Sequence, residues 1–202
     1  INDRSITVNK ERAYELLGQL PAITVNSYRI LHGREPVKPD PALSYSANFL
    51  YMITGEKPTE LQADIFDRSL MLYSEHEMPN STFTSRVIAS TNSDMYGALS
   101  SAVASLKGNL HGGANEAVMH MLNKTDSVSG FEQLMKTKLE KKEKIMGFGH
   151  RVYMNRMDPR ALVMKGSLKQ LCDLKGDHTL LEMCEAGEEI MKEEKGLYPN
   201  LD

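Results

Sequence analysis

The sequence predicts an all-α protein. Apolar residues recur at three- and four-residue intervals almost throughout its 202 residues, runs of alternating β-branched residues are nearly absent, and short turns rich in glycine and proline divide the text. The first helices are expected over 8–20 and 22–32, with Pro21 between them. Pro36, Pro39 and Pro41 then forbid helix across 34–41. After a helix over 42–54 comes the clearest one, over 60–73. There Leu61, Ile65 and Leu72 line one stripe, Phe66, Leu70 and Tyr73 widen it, and Thr59 with Gln62 forms a capping box behind Pro58. Further helices are expected over 82–91, 94–107, 114–123, 130–142, 160–172 and 178–194. Ser129 with Glu132 is expected to cap the 130–142 helix. Asp158-Pro159 reads as N-cap and first helical position of the 160–172 helix, with Arg160 facing out from that turn. No internal repeat or low-complexity stretch interrupts the pattern. The thirteen methionines fall mostly at core spacing and are read as filler.

Composition narrows the function classes. With 41% hydrophobic and 25% charged residues the chain is long enough to bury a core in one domain or two small ones. A net charge of −3, from 27 acidic and 24 basic residues scattered along the sequence, offers no basic face to nucleic acid and no polybasic run to a membrane. No window is long and apolar enough to span a bilayer, and nothing near Ile1 reads as a signal peptide. Cys172 and Cys184 lack the pattern of a disulfide framework or a zinc site. The expectation is a soluble, cytoplasmic protein. Both ends, Ile1 and the turn running through Tyr198-Pro199-Asn200 to Asp202, read as cut, so the chain is expected to be a piece of something longer. A domain boundary is expected near 107–113, where Lys107-Gly108-Asn109-Leu110-His111-Gly112-Gly113 supplies three glycines and an asparagine as a hinge.

Three turns combine helix ends with a histidine: Ser74-Glu75-His76-Glu77-Met78-Pro79-Asn80, His111-Gly112-Gly113-Ala114-Asn115-Glu116, and Gly147-Phe148-Gly149-His150-Arg151-Val152-Tyr153. Histidine titrates nearest neutrality, and glycine beside it lets a substrate approach the backbone, a combination suited to proton transfer. His111 precedes a helix whose dipole disfavours imidazolium and favours a neutral, hydrogen-bonding ring. Each histidine also has a plainer reading as a capping or packing residue. His32, His120 and His178 lack such surroundings and are read as structural. Glu75-His76-Glu77 matches no zinc signature, and no metal is expected. Lys136, Lys138, Lys141, Lys142 and Lys144 read as a solvated helix face whose position also allows phosphate contact.

Taken together, His111-Gly112-Gly113-Ala114-Asn115-Glu116, Gly147 to Tyr153 with Asp158-Pro159-Arg160, and Tyr198-Pro199-Asn200-Leu201-Asp202 resemble three successive signatures of the citrate synthase family in order and separation. Ser74 to Arg86 is similar to the family's oxaloacetate-binding histidine segment. The stretches 75–86 and 146–165 look closer to 2-methylcitrate synthases of Bacillus-like organisms. The spacing from His150 to Arg160 is one residue longer than is usual in the family, the extra residue lying within Met154 to Met157.

The resemblance implies condensation of an acyl-CoA, propionyl-CoA or acetyl-CoA, with oxaloacetate and water. It gives Asp202 the role of base and makes His111 the donor to the enol oxygen. His150 is then the group that polarises the oxaloacetate carbonyl and protonates the new alkoxide. His76 and Arg160 would hold oxaloacetate, and Met146, Gly147, Phe148 and Gly149 would receive the adenine end of CoA. Acyl-CoA is a substrate in this chemistry, so no cofactor is expected. The family's enzymes are helical homodimers whose small domain closes over the large one. By analogy 1–110 is part of the large domain and 111–202 most of the small one. Further carboxylate-binding arginines lie beyond Asp202 in the family, and N-terminal helices precede the position of Ile1. The chain alone is therefore expected to be inactive. Two other readings stay open: a lyase acting on a citryl thioester, and a catalytically silent helical dimerisation module.

Overall fold

The structure is a computed structural model that describes residues 5–201. Among the described residues it is helical, with no named strand and one isolated antiparallel bridge, Phe148 to Pro199. No helix among them is long and apolar enough to cross a membrane. The chain divides into two compact units, 1–76 and 77–202. The expected hinge segment lies inside the second unit as a tight turn, where the Gly108 carbonyl accepts from the His111 and Gly113 N–H groups at 2.9 and 3.2 Å.

In the first unit, α1 (Ile6–Leu31) is a single helix of 26 residues that runs straight through Pro21, correcting the expected division at that residue. Proline removes one helical hydrogen bond and crowds the preceding turn. Here Pro21 and Val25, one turn apart, are the two buried residues of the helix, so packing on that face outweighs the local penalty. From the last turn of α1, Arg29 supplies donors to the proline-rich link and to the end of the next helix. Its Nε donates to the Glu35 carbonyl at 2.6 Å, and its Nη1 reaches the Met52 and Ile53 carbonyls at the end of α2 (Tyr45–Thr54) at 3.3 and 3.0 Å. Asn26 pairs with the Val37 backbone in both directions, satisfying a segment that cannot be helical. Gly55 ends α2 in the left-handed region at φ 88°. α3 (Glu60–Ser74) begins at the Thr59/Gln62 capping box that its spacing predicts. Phe49 of α2 stacks on Phe66 of α3 at 4.8 Å, and buried Ser46 donates to Asp67 at 2.6 Å.

The second unit begins with α4 (Asn80–Ser90) and α5 (Met95–Leu106), which pack as a helical hairpin. It continues with α6 (Gly113–Leu122), α7 (Val128–Glu140), a 3₁₀ turn over Arg151–Tyr153, α8 (Pro159–Lys175) and α9 (Thr179–Lys195). α7 is capped by Ser127 rather than by Ser129, its hydroxyl accepting from the Gly130 N–H at 3.3 Å. The earlier start brings Val128 into the first turn, where it packs on the core. That core joins α6, α7 and α9 through Met121, Leu122, Phe131, Met135, Ile145, Met183, Ile190 and Met191. Half of these eight are methionines, flexible enough to fill the gaps where three helices meet. Gly187 is buried against Phe131, and a Cβ there would stand 3.1 Å from the Phe131 ring, so the glycine sets how closely α9 approaches α7.

Phe131 is 2% exposed at the centre of this core. Phe131→Ala is expected to cost about 3–5 kcal/mol of stability, whereas Leu174→Ala at an exposed position of α8 should stay within about 0.5 kcal/mol. Chemical denaturation of the two variants checks the difference.

Candidate active site

Two stretches far apart in sequence are joined to make the site's frame. Around the Phe148–Pro199 bridge, the Gly149 N–H donates to the Tyr198 carbonyl at 3.3 Å and the Asn200 N–H to the Gly147 carbonyl at 3.1 Å. The Asn200 side-chain amide adds a longer contact to the same Gly147 carbonyl, at 3.4 Å. Gly147 and Gly149 take φ of 90° and 76°, values that favour glycine on backbone grounds alone. Space demands glycine as well: a Cβ on Gly147 would stand 3.2 Å from Val118 of α6, and one on Gly149 would stand 3.1 Å from Leu197. Phe148 between them packs on the methionine-rich core. The loop over 146–149 is therefore fixed from below by the core and from the side by α6.

His150 leaves this loop as the N-cap of the 3₁₀ turn. Its Nδ1 accepts from the Val152 N–H at 3.3 Å, which in the neutral ring places the proton on Nε2. The turn ends at buried Tyr153, whose ring centroid lies 5.6 Å from that of His150. Arg160 places its guanidinium carbon 5.9 Å from the same ring, within cation–π range. Tyr153 thus stands between the two polar groups and is in contact range of both.

Asp158 is the N-cap of α8, with Pro159 in the first turn, as the sequence predicts. Its carboxylate is wholly buried and does more than cap. It accepts from the Arg160 backbone N–H at 2.9 Å, from Arg160 Nε at 3.2 Å, from Arg160 Nη2 at 2.8 Å and from the Leu201 N–H at 3.1 Å. Arg160 consequently does not face out from its turn. Its side chain folds back on Asp158 and keeps only 11% of its surface exposed. A buried carboxylate two residues away outcompetes water for the guanidinium. Burial pushes the Asp158 carboxyl up, but the Arg160 hydrogen bonds, the Leu201 and Arg160 backbone N–H groups and the Arg160 charge together hold it below its ordinary value.

His111 occupies the other turn of the second unit, immediately before Gly112 at the start of α6. Its Nε2 lies 3.0 Å from the Ser81 hydroxyl in the first turn of α4. The close approach of Gly147 to Val118 sets the His150 loop against the same helix that His111 introduces. His76 stands half-buried in the link after α3, at the end of the first unit. Asp202 lies outside the described residues. Its neighbour Leu201 is the residue that Asp158 holds.

Ser81 and Tyr153 are partners to which the pattern of helices and turns assigns no role, and that pattern makes Asp158 a cap without its contact to Leu201. The contacts of Ser81 with His111 and of Asp158 with Leu201 span 30 and 43 residues of chain, beyond any local signal. The three histidines read as structural make local contacts. His32 bonds to the Tyr28 carbonyl at 2.8 Å, while His120 and His178 face Glu116 and Asp173 at 3.5 and 3.4 Å. Burial pushes the Cys184 thiol up, away from reactivity.

A helical scaffold carrying two histidine turns, a buried aspartate–arginine pair and a C-terminal segment zipped onto a glycine loop has clear relatives. The chain belongs to the citrate synthase family: residues 2–202 match the citrate synthase C-terminal domain. It is 70% identical over 202 residues to the citrate/2-methylcitrate synthase of Bacillus subtilis (strain 168), covering all of this chain and 54% of that protein. It is 69% identical over 200 residues to the citrate synthase of Heyndrickxia coagulans, covering 99% of this chain and 54% of that one. Among solved structures, the ternary complex of Thermoplasma acidophilum citrate synthase with carboxymethyl coenzyme A and oxaloacetate matches with a TM-score of 0.88 at 36% identity. That match covers 97% of this chain and 52% of the archaeal one. The chain spans about half the length of the relatives it matches.

Because the folded-state pKa of Asp158 is depressed, its contribution to stability is full above the unfolded value near 3.8 and is lost as pH falls through the lower folded value. Acid unfolding should therefore show a component below about pH 4 that Asp158→Asn removes, measured as denaturation midpoint against pH.

Proposed function

We propose that the full-length protein containing this chain condenses an acyl-CoA with oxaloacetate and water, giving 2-methylcitrate or citrate and free CoA. The observation that carries this reading is 70% identity across the whole chain to a citrate/2-methylcitrate synthase. Asp202 removes a proton from the α-carbon of the acyl thioester. His111 donates a hydrogen bond to the thioester oxygen as the enol forms. Ser81 is placed to occupy Nε2 and leave Nδ1–H for that task. The α-carbon then attacks the oxaloacetate carbonyl, which His150 polarises through Nε2–H, and the same proton passes to the alkoxide oxygen. Val152 holding Nδ1 favours this tautomer. Water then cleaves the thioester, and CoA leaves as the thiol.

His76 holds oxaloacetate, Arg160 grips one of its carboxylates, and the loop over 146–149 receives the adenine end of CoA. Acyl-CoA is consumed, so the reaction calls for no resident cofactor. Use of propionyl-CoA would place the protein in propionate metabolism, and use of acetyl-CoA in the tricarboxylic acid cycle. Residues 1–110 belong to the large domain of the full-length protein and 111–202 to most of its small domain. A cytoplasmic location agrees with two free cysteines, and a homodimer agrees with the apolar residues that α4 and α5 expose, among them Phe83, Val87 and Val103. Val103→Asp is expected to shift the full-length protein from dimer to monomer in analytical ultracentrifugation.

The decisive assay is thiol release by the full-length protein from propionyl-CoA and acetyl-CoA, each with oxaloacetate. Release from either is expected, and His150→Ala should lower kcat by about 100-fold or more with unchanged helical circular dichroism. Activity only on a preformed citryl thioester would turn the reading to a lyase. Normal turnover by the His150 variant would leave the histidines as caps. The 202-residue chain alone is expected to release no thiol.

A further inference from the structure

We propose that Asp158 is a positioning residue that sets the aim of Arg160 and the placement of the segment leading to Asp202 through one carboxylate, so that loss of this carboxylate weakens substrate capture and proton abstraction together. The inference rests on the condensation reading above. Three observations carry it. Oδ1 and Oδ2 take the Nε and Nη2 edge of the Arg160 guanidinium at 2.8–3.2 Å, which fixes the plane of the fork. Oδ2 also accepts from the Leu201 N–H at 3.1 Å, one residue before the base. The Asp158 N–H in turn donates to the Pro199 carbonyl at 3.4 Å, so the same residue grips the 198–201 segment from both its backbone and its side chain.

A simple cap would satisfy only the N–H groups of its own helix. Here the cap of α8 is shared with a segment that lies 43 residues further along the chain. At zero exposure no water competes for these oxygens, so a movement of the carboxylate displaces the arginine and the Leu201 backbone at once. Displacement of about 1 Å at a reacting group costs on the order of 100-fold in rate. The two effects fall on different kinetic constants. Arg160 acts on oxaloacetate affinity, and Asp202 acts on turnover at saturation.

The test is steady-state thiol release by the full-length protein and its Asp158→Asn and Asp158→Glu variants, with oxaloacetate varied. It is paired with backbone hydrogen exchange over 198–202 in the absence of substrate. The expected result for Asp158→Asn is a KM for oxaloacetate raised at least about tenfold, kcat lowered at least about tenfold, and faster exchange over 198–202. Asp158→Glu, which keeps the charge and shifts the oxygens, should recover part of the affinity and less of kcat. A rise in KM with kcat and exchange unchanged would overturn the shared role and leave Asp158 as support for Arg160 alone. Unchanged constants in a folded variant would overturn it entirely. Should Asp158→Asn not fold, Arg160→Lys in its place loosens the same carboxylate, and unchanged exchange over 198–202 in that variant overturns the proposal. Absence of thiol release from the unsubstituted protein would remove the condensation reading and this proposal with it. Activity in the parent and in Asp158→Asn alike would remove only the proposal.

Discussion

A carboxylate taken wholly out of water must have its charge and its lone pairs answered, or the fold around it does not form. Asp158 is such a group, and the way it is answered organises the second unit. Its charge is met by Arg160, and its oxygens by donors from the first turn of α8 and from Leu201. None of these donors can be released cheaply, because breaking one side of a buried pair leaves the other side uncompensated. The helix start, the arginine and the C-terminal segment are thereby fixed relative to one another. The methionine-rich core sits on the far side of the 146–149 loop and supplies the floor against which Phe148 is held.

The two histidine turns show a common economy. In each, one ring nitrogen has a named partner, close in sequence for His150 and 30 residues away for His111. Val152 donates to His150 at Nδ1, and the Ser81 hydroxyl meets His111 at Nε2. The two contacts thus engage opposite nitrogens, Nδ1 of His150 and Nε2 of His111. In the condensation proposed above, both rings act as hydrogen-bond donors to oxygen. Neutral donors suit a reaction in which negative charge develops at oxygen and is then quenched by a proton.

Much of this was legible in the sequence, for identifiable reasons. The Thr59/Gln62 box and the Asp158-Pro159 start are encoded within four residues, and both appear where expected. The glycines of the 147–149 loop stand out in the sequence as a turn, and their φ of 90° and 76° give the reason glycine is favoured there. What stayed hidden depends on distant chain. Pro21 reads locally as a helix break, and only burial of the Pro21/Val25 face makes continuation the better outcome. Ser129 has the right spacing for a cap, yet Ser127 wins because starting earlier buries Val128. Arg160 reads as an exposed first-turn residue until the tertiary fold buries the carboxylate beside it. The pairing of His111 with Ser81 crosses from α6 to α4 and leaves no periodic trace.

These long-range contacts also bear on how the site can move. Gly147, Gly149 and Asp158 are each bonded to the 198–201 segment, through backbone contacts to Tyr198, Pro199, Asn200 and Leu201. Several bonds spread along both segments resist relative sliding, because a register shift would have to break them together. The glycine loop adds a steric constraint, since Gly147 already lies against Val118 and Gly149 against Leu197. The loop, Arg160 and the 198–201 segment are therefore held as one piece. In the condensation proposed above, a rigid group of that kind would bring His150 and Arg160 to the substrate in a single step. Their mutual geometry is then set by folding and is not left to be assembled at each turnover.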